Sequence, residues 1–122
     1  MKYLLLIYGN PTWSARSDEQ RRQLDRDHAE LLREITESGE WLDGAPLTDS
    51  AETRTVRTDD GGTIVTDGPY GEAKEYLAGY DVIDCAGIDR AAEIARRIHG
   101  GAAVVRIRPI ADMPPSADPP GV

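Results

Sequence analysis

The sequence predicts one small α+β domain in which two helices pack on one face of an antiparallel sheet. Two observations favour it: two segments carry apolar residues at helical spacing, and strand-like apolar runs flank each of them. The resulting order, β-α-β, a hairpin and then β-α-β, is typical of a ferredoxin-like sheet with an inserted β-hairpin. A chain of 122 residues with 39% hydrophobic residues fits one core rather than two.

The first β-α-β unit begins with a short apolar strand. Residues 3–8 are rich in Leu and Ile and are followed by glycine, asparagine and proline, which end a strand. Ser17 followed by Gln20 matches a capping box, and the apolar residues after it recur at helical spacing until a Ser-Gly pair ends the helix. We expect residues 41–47 to form a second strand, bent or at an edge because it contains glycine and proline.

The second half adds a hairpin and another β-α-β unit. An Asp-Gly turn between β-branched runs predicts a hairpin over residues 53–66, which we interpret as an insertion lying over the domain. Residues 76–85 should form the next strand, with a bulge or a close backbone approach at Gly79. The alanine-lined face of residues 88–98 predicts a helix, and residues 102–109 alternate Val and Ile with Arg, which indicates a strand with one solvated face.

The domain is predicted to span residues 1–110, followed by a proline-rich tail at residues 111–122. The tail shows no apolar periodicity, and its prolines cannot donate hydrogen bonds to a strand ladder. We therefore expect it to be disordered or an extended arm, and to contribute little to the folded core.

Composition argues against several classes of function. A net charge of −8 repels phosphate backbones, so no nucleic-acid partner is expected. The single cysteine, Cys85, cannot form an internal disulfide, and no apolar run is long enough for a secretory signal or a membrane helix. We expect a cytoplasmic protein that does not enter a membrane. Too few cysteines and histidines are present for a Cys-rich zinc site, and no nucleotide-binding glycine pattern occurs, so neither a metal nor a cofactor is predicted.

A charged segment before the third core strand carries a family resemblance. Residues 66–80 read TDGPYGEAKEYLAGY, which resembles the T-D-G-P-F-x-E-x-K-E segment of DGPF-type YCII-related proteins, with Tyr70 in place of the usual Phe. The opening MKYLLLIYG, residues 39–46 and the closing VRIRP are also similar, so the resemblance covers about residues 1–110. It implies the dimeric α/β barrel of that superfamily, built from ferredoxin-like subunits.

The resemblance implies less about activity than about fold. Most such relatives are uncharacterised, many are encoded near or fused to extracytoplasmic-function sigma factors, and a distant relative is a dehydrochlorinase acting on chlorinated hydroxyquinols. A His–Asp pair in a pocket is the usual proposal for the wider superfamily, and the family's helix histidine corresponds to His28. The family's aspartate normally follows the second helix, but residues 97–101 here read RIHGG and contain none.

His28 is the candidate catalytic residue. It lies on the apolar stripe of the first predicted helix, four residues from both Leu24 and Leu32, so its ring should point toward the sheet. One interpretation is a core histidine that donates to a backbone carbonyl. The other is a general acid or base in a half-buried pocket, where small changes of environment bring an imidazole's charge change near neutral pH.

The DGPY loop, residues 67–75, holds the candidate ligand-binding residues. Asp67 and Lys74 would hold a carboxylate or hydroxyl group of a small ligand, with Tyr70 as an aromatic wall and Glu72 or Glu75 as proton acceptor. Alternatively, the Asp-Gly-Pro sequence only forms a turn, and Lys74 pairs with a neighbouring glutamate at the surface.

Two function hypotheses follow. The first is a protein that binds a small polar or aromatic molecule near the first helix and the DGPY loop, with lyase- or isomerase-type acid–base activity. The second is a non-catalytic accessory dimer that meets a protein such as a sigma factor through its hairpin and acidic surface. A homodimer is expected in either case, because the sheet face away from the helices carries Tyr, Val and Ile and no third layer is available to cover it.

Overall fold

The computed structural model describes residues 1–9, 16–68, 76–98 and 104–112. Apart from a short 3-10 turn at Ser50–Glu52, their regular elements lie at or within a few residues of the predicted positions. In chain order these elements are β1 (Lys2–Gly9), α1 (Asp18–Glu37), β2 (Trp41–Pro46), β3 (Arg54–Asp59), β4 (Gly62–Asp67), β5 (Tyr76–Asp84), α2 (Ile88–Arg97) and β6 (Val104–Pro109).

Four of the strands form one antiparallel sheet in the order β2-β5-β1-β6. Each β-α-β unit contributes one central and one outer strand, which is the ferredoxin-like arrangement that the sequence predicted. The register shifts between Ile7 and Tyr8 of β1, where Gly79 of β5 pairs with Ile7. A Cβ atom on Gly79 would lie 3.0 Å from the carbonyl oxygen of Ala45, so the predicted bulge and close backbone approach both occur.

The core lies between this sheet and the two helices. Alternate residues of β1 are buried because successive side chains of a strand point to opposite faces. From the helices, residues one turn apart reach the same layer, as Leu31 and Ile35 do in α1. Complete burial of one such side chain contributes about 1.5–3 kcal/mol to the free energy of folding. The largest fully buried side chains are Leu5, Leu31, Ile35, Ile83, Ile94 and Ile98.

Helix α1 begins with the predicted capping box. The backbone N–H of Gln20 donates to Ser17 Oγ at 3.1 Å, and the Ser17 N–H donates to Gln20 Oε1 at 2.9 Å. These two bonds satisfy N–H groups that a helix start would otherwise leave unpaired. The cap fixes where α1 starts, and the apolar stripe of the helix determines which of its residues face the sheet.

An arginine of α2 fixes the start of β2. Arg90 donates to both carboxylate oxygens of Glu40 at 2.9 Å, and these bonds hold the pKa of Glu40 below its usual value. Arg97 of α2 also pairs with Glu34 of α1 at 2.7 Å. Because Glu40 immediately precedes β2, the first pair holds Trp41 at the edge of the core.

The hairpin β3-β4 forms a separate two-stranded sheet, with Val56 opposite Val65. The hairpin itself was predicted, but the expectation that it covers the domain is not met. Every residue of β4 is exposed, and so are five of the six in β3. With Val56 and Val65 each 60% exposed, neither strand buries an apolar face against the four-stranded sheet.

The sheet face away from the helices carries a band of apolar side chains. Leu4 pairs with Val82 and Leu6 with Tyr80, and all four are half-buried. On the neighbouring strand β6, the guanidinium of Arg106 lies 4.5 Å from the centre of the Tyr8 ring. No described helix covers this open sheet face, which includes Leu4, Leu6, Tyr8, Tyr80, Val82, Val104, Arg106 and Arg108.

Two further expectations from the sequence concern the C-terminal tail and insertion into a membrane. Of the predicted tail, only residues 111 and 112 are described, and they belong to no helix or strand. The rest of the tail, which we expected to be disordered or an extended arm, lies outside the described residues. Among the helices that the structure describes, none is both long and apolar enough to cross a membrane.

Candidate functional site

A cavity of about 470 Å³ lies between α1 and the strands β2 and β5. This volume is in the range that holds a small organic molecule. We call it the helix-face cavity, and the described residues that line it are Ile7, His28, Leu32, Trp41, Gly44, Ala45, Pro46, Tyr76, Ala78, Gly79, Tyr80 and Asp81. Most of them are apolar, and only His28 and Asp81 supply an imidazole or a carboxyl group.

Asp81 is the buried acid of this cavity. It follows the strand alternation that also turns Ile83 toward the helices, and only 8% of it is exposed. The indole Nε1–H of Trp41 donates to its Oδ1 at 3.0 Å. Burial raises the pKa of Asp81, and the Trp41 hydrogen bond and the nearby His28 oppose that rise without cancelling it. The carboxyl group therefore holds a proton more tightly than an exposed aspartate does.

Gly44 makes room for that carboxyl group. It lies directly opposite Asp81 in the pairing of β2 with β5. A Cβ atom at this position would clash with Asp81 Oδ1, and it would also lie 2.8 Å from the backbone oxygen of Tyr80. The missing side chain at Gly44 thus leaves the space in which the Asp81 carboxylate rests beside Trp41.

His28 lines the same cavity from α1. The helix places it one turn before Leu32, as the sequence predicted, and its ring is half-buried with Nδ1 shielded from solvent. It is near enough to Asp81 to lower the pKa of that carboxyl group electrostatically. The structure therefore brings an imidazole and a buried carboxyl group into one apolar cavity, while the catalytic role of His28 stays a prediction.

Tyr76 supplies an aromatic wall at the rim of the cavity. Its ring crosses its paired residue Gly9, where a Cβ atom would lie 2.8 Å from the ring carbon Cζ. With 40% of its surface exposed, Tyr76 is accessible from solvent. The absence of a side chain at Gly9 leaves room for the Tyr76 ring beside β1.

Of the predicted ligand residues of the DGPY loop, the structure describes Asp67. Asp67 is the last residue of β4, with its side chain 87% exposed and 3.2 Å from the Nε of Arg54. It is not among the described residues that line the helix-face cavity. Tyr70, Glu72, Lys74 and Glu75 lie outside the described residues. Binding roles for these five residues stay predictions.

Sequence reasoning missed Asp81 and Trp41. The family resemblance implied an acidic partner of His28 after the second helix, whereas the structure supplies an aspartate from β5. One local signal was available, because Asp81 alternates in phase with Ile83 on a strand, and an acid on a buried face is uncommon. Trp41, whose indole N–H donates a hydrogen bond to Asp81, was not among the predicted site residues. Within the described ranges, no three His, Cys, Asp or Glu side chains group closely enough to hold a metal ion.

Comparison with known proteins identifies the family of the chain. A model of the YCII-related domain matches residues 1–114. The chain belongs to the YCII-related family. An uncharacterized protein of Rhizobium meliloti (strain 1021) is 38% identical to this YCII-related chain over 97 residues, which cover 79% of the chain and 78% of the relative. The family resemblance seen in the sequence is therefore confirmed, and the name of the relative assigns no activity.

Proposed function

We propose that this YCII-related protein binds a small, largely apolar molecule in the helix-face cavity and exchanges protons with it through His28 and Asp81. The observation that carries the proposal is the presence of this imidazole and this carboxyl group, near each other, in an apolar cavity of about 470 Å³. A mainly apolar pocket with a few convergent polar groups is the usual form of a small-molecule site.

The chemistry that fits is proton transfer of the lyase or isomerase type. Burial raises the pKa of Asp81, which brings its proton affinity closer to that needed at neutral pH. One of the two groups removes a proton from the bound molecule, and the other returns a proton to a second atom of it. The total charge of His28 and Asp81 is then the same as before the reaction, and the bound molecule is neither oxidised nor reduced.

A thermal-shift screen against small organic compounds tests the binding function. A ligand that binds only the folded protein raises its melting temperature, so we expect hits whose shift is lost in His28→Gln. Glutamine keeps a polar group of similar size but cannot titrate. Asp67→Asn and Lys74→Ala test the other predicted location, because both residues belong to the DGPY loop and Asp67 is not among the described residues that line the cavity.

The variants separate two locations for the ligand. Loss of the shift in His28→Gln with little change in Asp67→Asn places the ligand in the helix-face cavity. If Lys74→Ala also weakens binding about tenfold, the loss of a charge-assisted contact, the DGPY loop contributes to the same site. Absence of any hit sensitive to His28→Gln would contradict the binding function and favour the accessory-dimer hypothesis.

We also propose that the open sheet face is covered by a second copy of the chain. Its apolar band, Leu4 and Leu6 with Val82 and Tyr80, can meet the same band of a copy related by two-fold symmetry. In such a dimer each face meets the same face of the other copy, so the apolar band supplies the contact and Arg106 and Arg108 lie at its flank.

Light scattering tests the dimer. We expect a mass near twice 13.3 kDa at micromolar concentration, and a shift toward the single-chain mass in Leu6→Lys, which places a charge in the apolar band. Val56→Lys is the control, because it adds the same charge to the exposed hairpin. A wild-type mass near 13.3 kDa would remove the basis for the dimer.

A further inference from the structure

We propose that the helix-face cavity selects small organic amines, with the ammonium group paired to the Asp81 carboxylate and the apolar part held in the cavity. This inference rests on the proposed binding function. The first observation is the distribution of charge: the described lining residues include one carboxyl group and neither lysine nor arginine. Among the described lining residues, an ammonium ion therefore meets an acceptor of opposite charge and no lysine or arginine.

Asp81 has a reason to accept a cation. It is 8% exposed, and a buried carboxylate is costly unless a charged or hydrogen-bonding partner compensates it. Trp41 Nε1–H donates to Oδ1, and a carboxylate offers a second oxygen and further lone pairs to another donor. An ammonium group supplies up to three N–H donors together with the positive charge. A bound carboxylate would instead place a second negative charge beside Asp81.

The aromatic lining favours the same ligand. Trp41 and Tyr76 both line the cavity, one beside Asp81 and the other at the rim. Aromatic faces attract cations through their quadrupole, most strongly where water is excluded. Ile7 and Leu32 supply aliphatic surface for the carbon part of the amine. The net charge of −8 further concentrates small cations, and not anions, around the protein.

His28 provides the competing possibility, because a protonated imidazole would attract an anion. Three compounds with the same ring and a one-carbon arm separate the cases: benzylamine is cationic, benzyl alcohol is neutral and benzoate is anionic. We expect benzylamine to bind at least about tenfold more tightly than benzyl alcohol, the effect typical of a charge-assisted contact. Benzoate should bind most weakly. Isothermal titration or NMR titration with each compound gives the three dissociation constants.

Two variants show whether the preference for an amine depends on Asp81 itself or on the overall negative charge of the protein. Asp81→Asn keeps the size and the acceptor for Trp41 but removes the charge, so benzylamine should lose about tenfold in affinity while benzyl alcohol binds as before. Asp84→Asn is the matched control, because Asp84 lies on the same strand with an exposed side chain that pairs with the chain's N-terminus. It lowers the overall negative charge equally and should leave the order of the three ligands unchanged.

The remaining outcomes of these experiments distinguish failure of amine selection from failure of the proposed binding function. Equal affinities, a preference for benzoate, or an amine preference that survives Asp81→Asn would overturn amine selection while the binding function stands. If none of the three binds but the compound screen yields a neutral or anionic ligand sensitive to His28→Gln, amine selection also fails alone. If no compound of any charge depends on His28, the proposed function itself fails.

Discussion

Replacing Asp81 with asparagine is expected to stabilise the protein at neutral pH while weakening ligand binding. Burial raises the pKa of this carboxyl group, so the ionised form is less favourable in the folded protein than in the unfolded chain. Asparagine keeps the acceptor for Trp41 without the buried charge. We expect a gain of roughly 0.5–2 kcal/mol in the free energy of unfolding, the range typical of a single stabilising substitution.

The pH dependence of this gain follows from the direction of the pKa shift. Because the folded pKa lies above the ordinary value of 3.8, the folded protein binds the Asp81 proton more tightly than the unfolded chain does. Stability supplied by the protonated carboxyl is therefore complete at pH values below 3.8 and is lost as the pH rises through the folded pKa. The advantage of Asp81→Asn should accordingly be absent in acid and largest above that folded pKa.

Chemical denaturation of the two proteins across this pH range measures the effect. Asp84→Asn is the control, since its exposed ion pair with the N-terminus should contribute about 0–1 kcal/mol. A large loss of stability in Asp81→Asn at neutral pH would contradict the account. It would mean that Asp81 and His28 form a stabilising structural ion pair and not a site kept for a ligand.

The substitution Gly44→Ala is expected to damage stability and binding together. Its new Cβ atom would clash with Asp81 Oδ1 and lie 2.8 Å from the backbone oxygen of Tyr80, which cannot move without disturbing the sheet. Overpacking of this kind costs about 1–3 kcal/mol. Because the carboxylate must leave its place beside Trp41, benzylamine affinity should fall by about tenfold or more.

Gly87→Ala is the matched control for Gly44→Ala. A Cβ atom at Gly87 would have no atom within 4 Å among the described residues, and Gly87 lies at the start of α2, away from the cavity lining. We expect a smaller loss of stability, arising only from the weaker capping preference of alanine, and unchanged binding. Denaturation and ligand titration of both variants make the comparison, and equal behaviour would show that Gly44 does not position Asp81.

Local signals explain which parts of the fold could be predicted. Ser17 and Gln20 make the predicted capping box, and Gly79 marks the predicted bulge, because each feature depends on residues close in sequence or on one backbone conformation. The expectation that the hairpin lies over the domain was wrong. That position depends on how the hairpin packs against the rest of the domain, and the alternation of residues in its sequence does not determine this packing. The element order was sufficient for the strand order of the sheet.

The candidate site depends on long-range contacts and was predicted only in part. His28 could be found because helical spacing places it on the apolar stripe of α1. Its neighbour Asp81 is far along the chain, and the two approach only when β5 pairs beside β1 beneath that helix. The space that Gly44 leaves for the Asp81 carboxyl group also depends on the register between β2 and β5, which no short motif specifies.

The indole N–H resonance of Trp41 in a ¹H–¹⁵N NMR spectrum tests the central claim most directly, because Trp41 Nε1 donates to Asp81 inside the cavity. Trp41→Phe assigns this resonance, because Trp13 and Trp41 are the two tryptophans of the chain. We predict that benzylamine shifts the Trp41 indole resonance saturably in the wild type and far less in Asp81→Asn. A Trp41 indole resonance that stays fixed while benzylamine binding saturates would show that the ligand site is not the helix-face cavity.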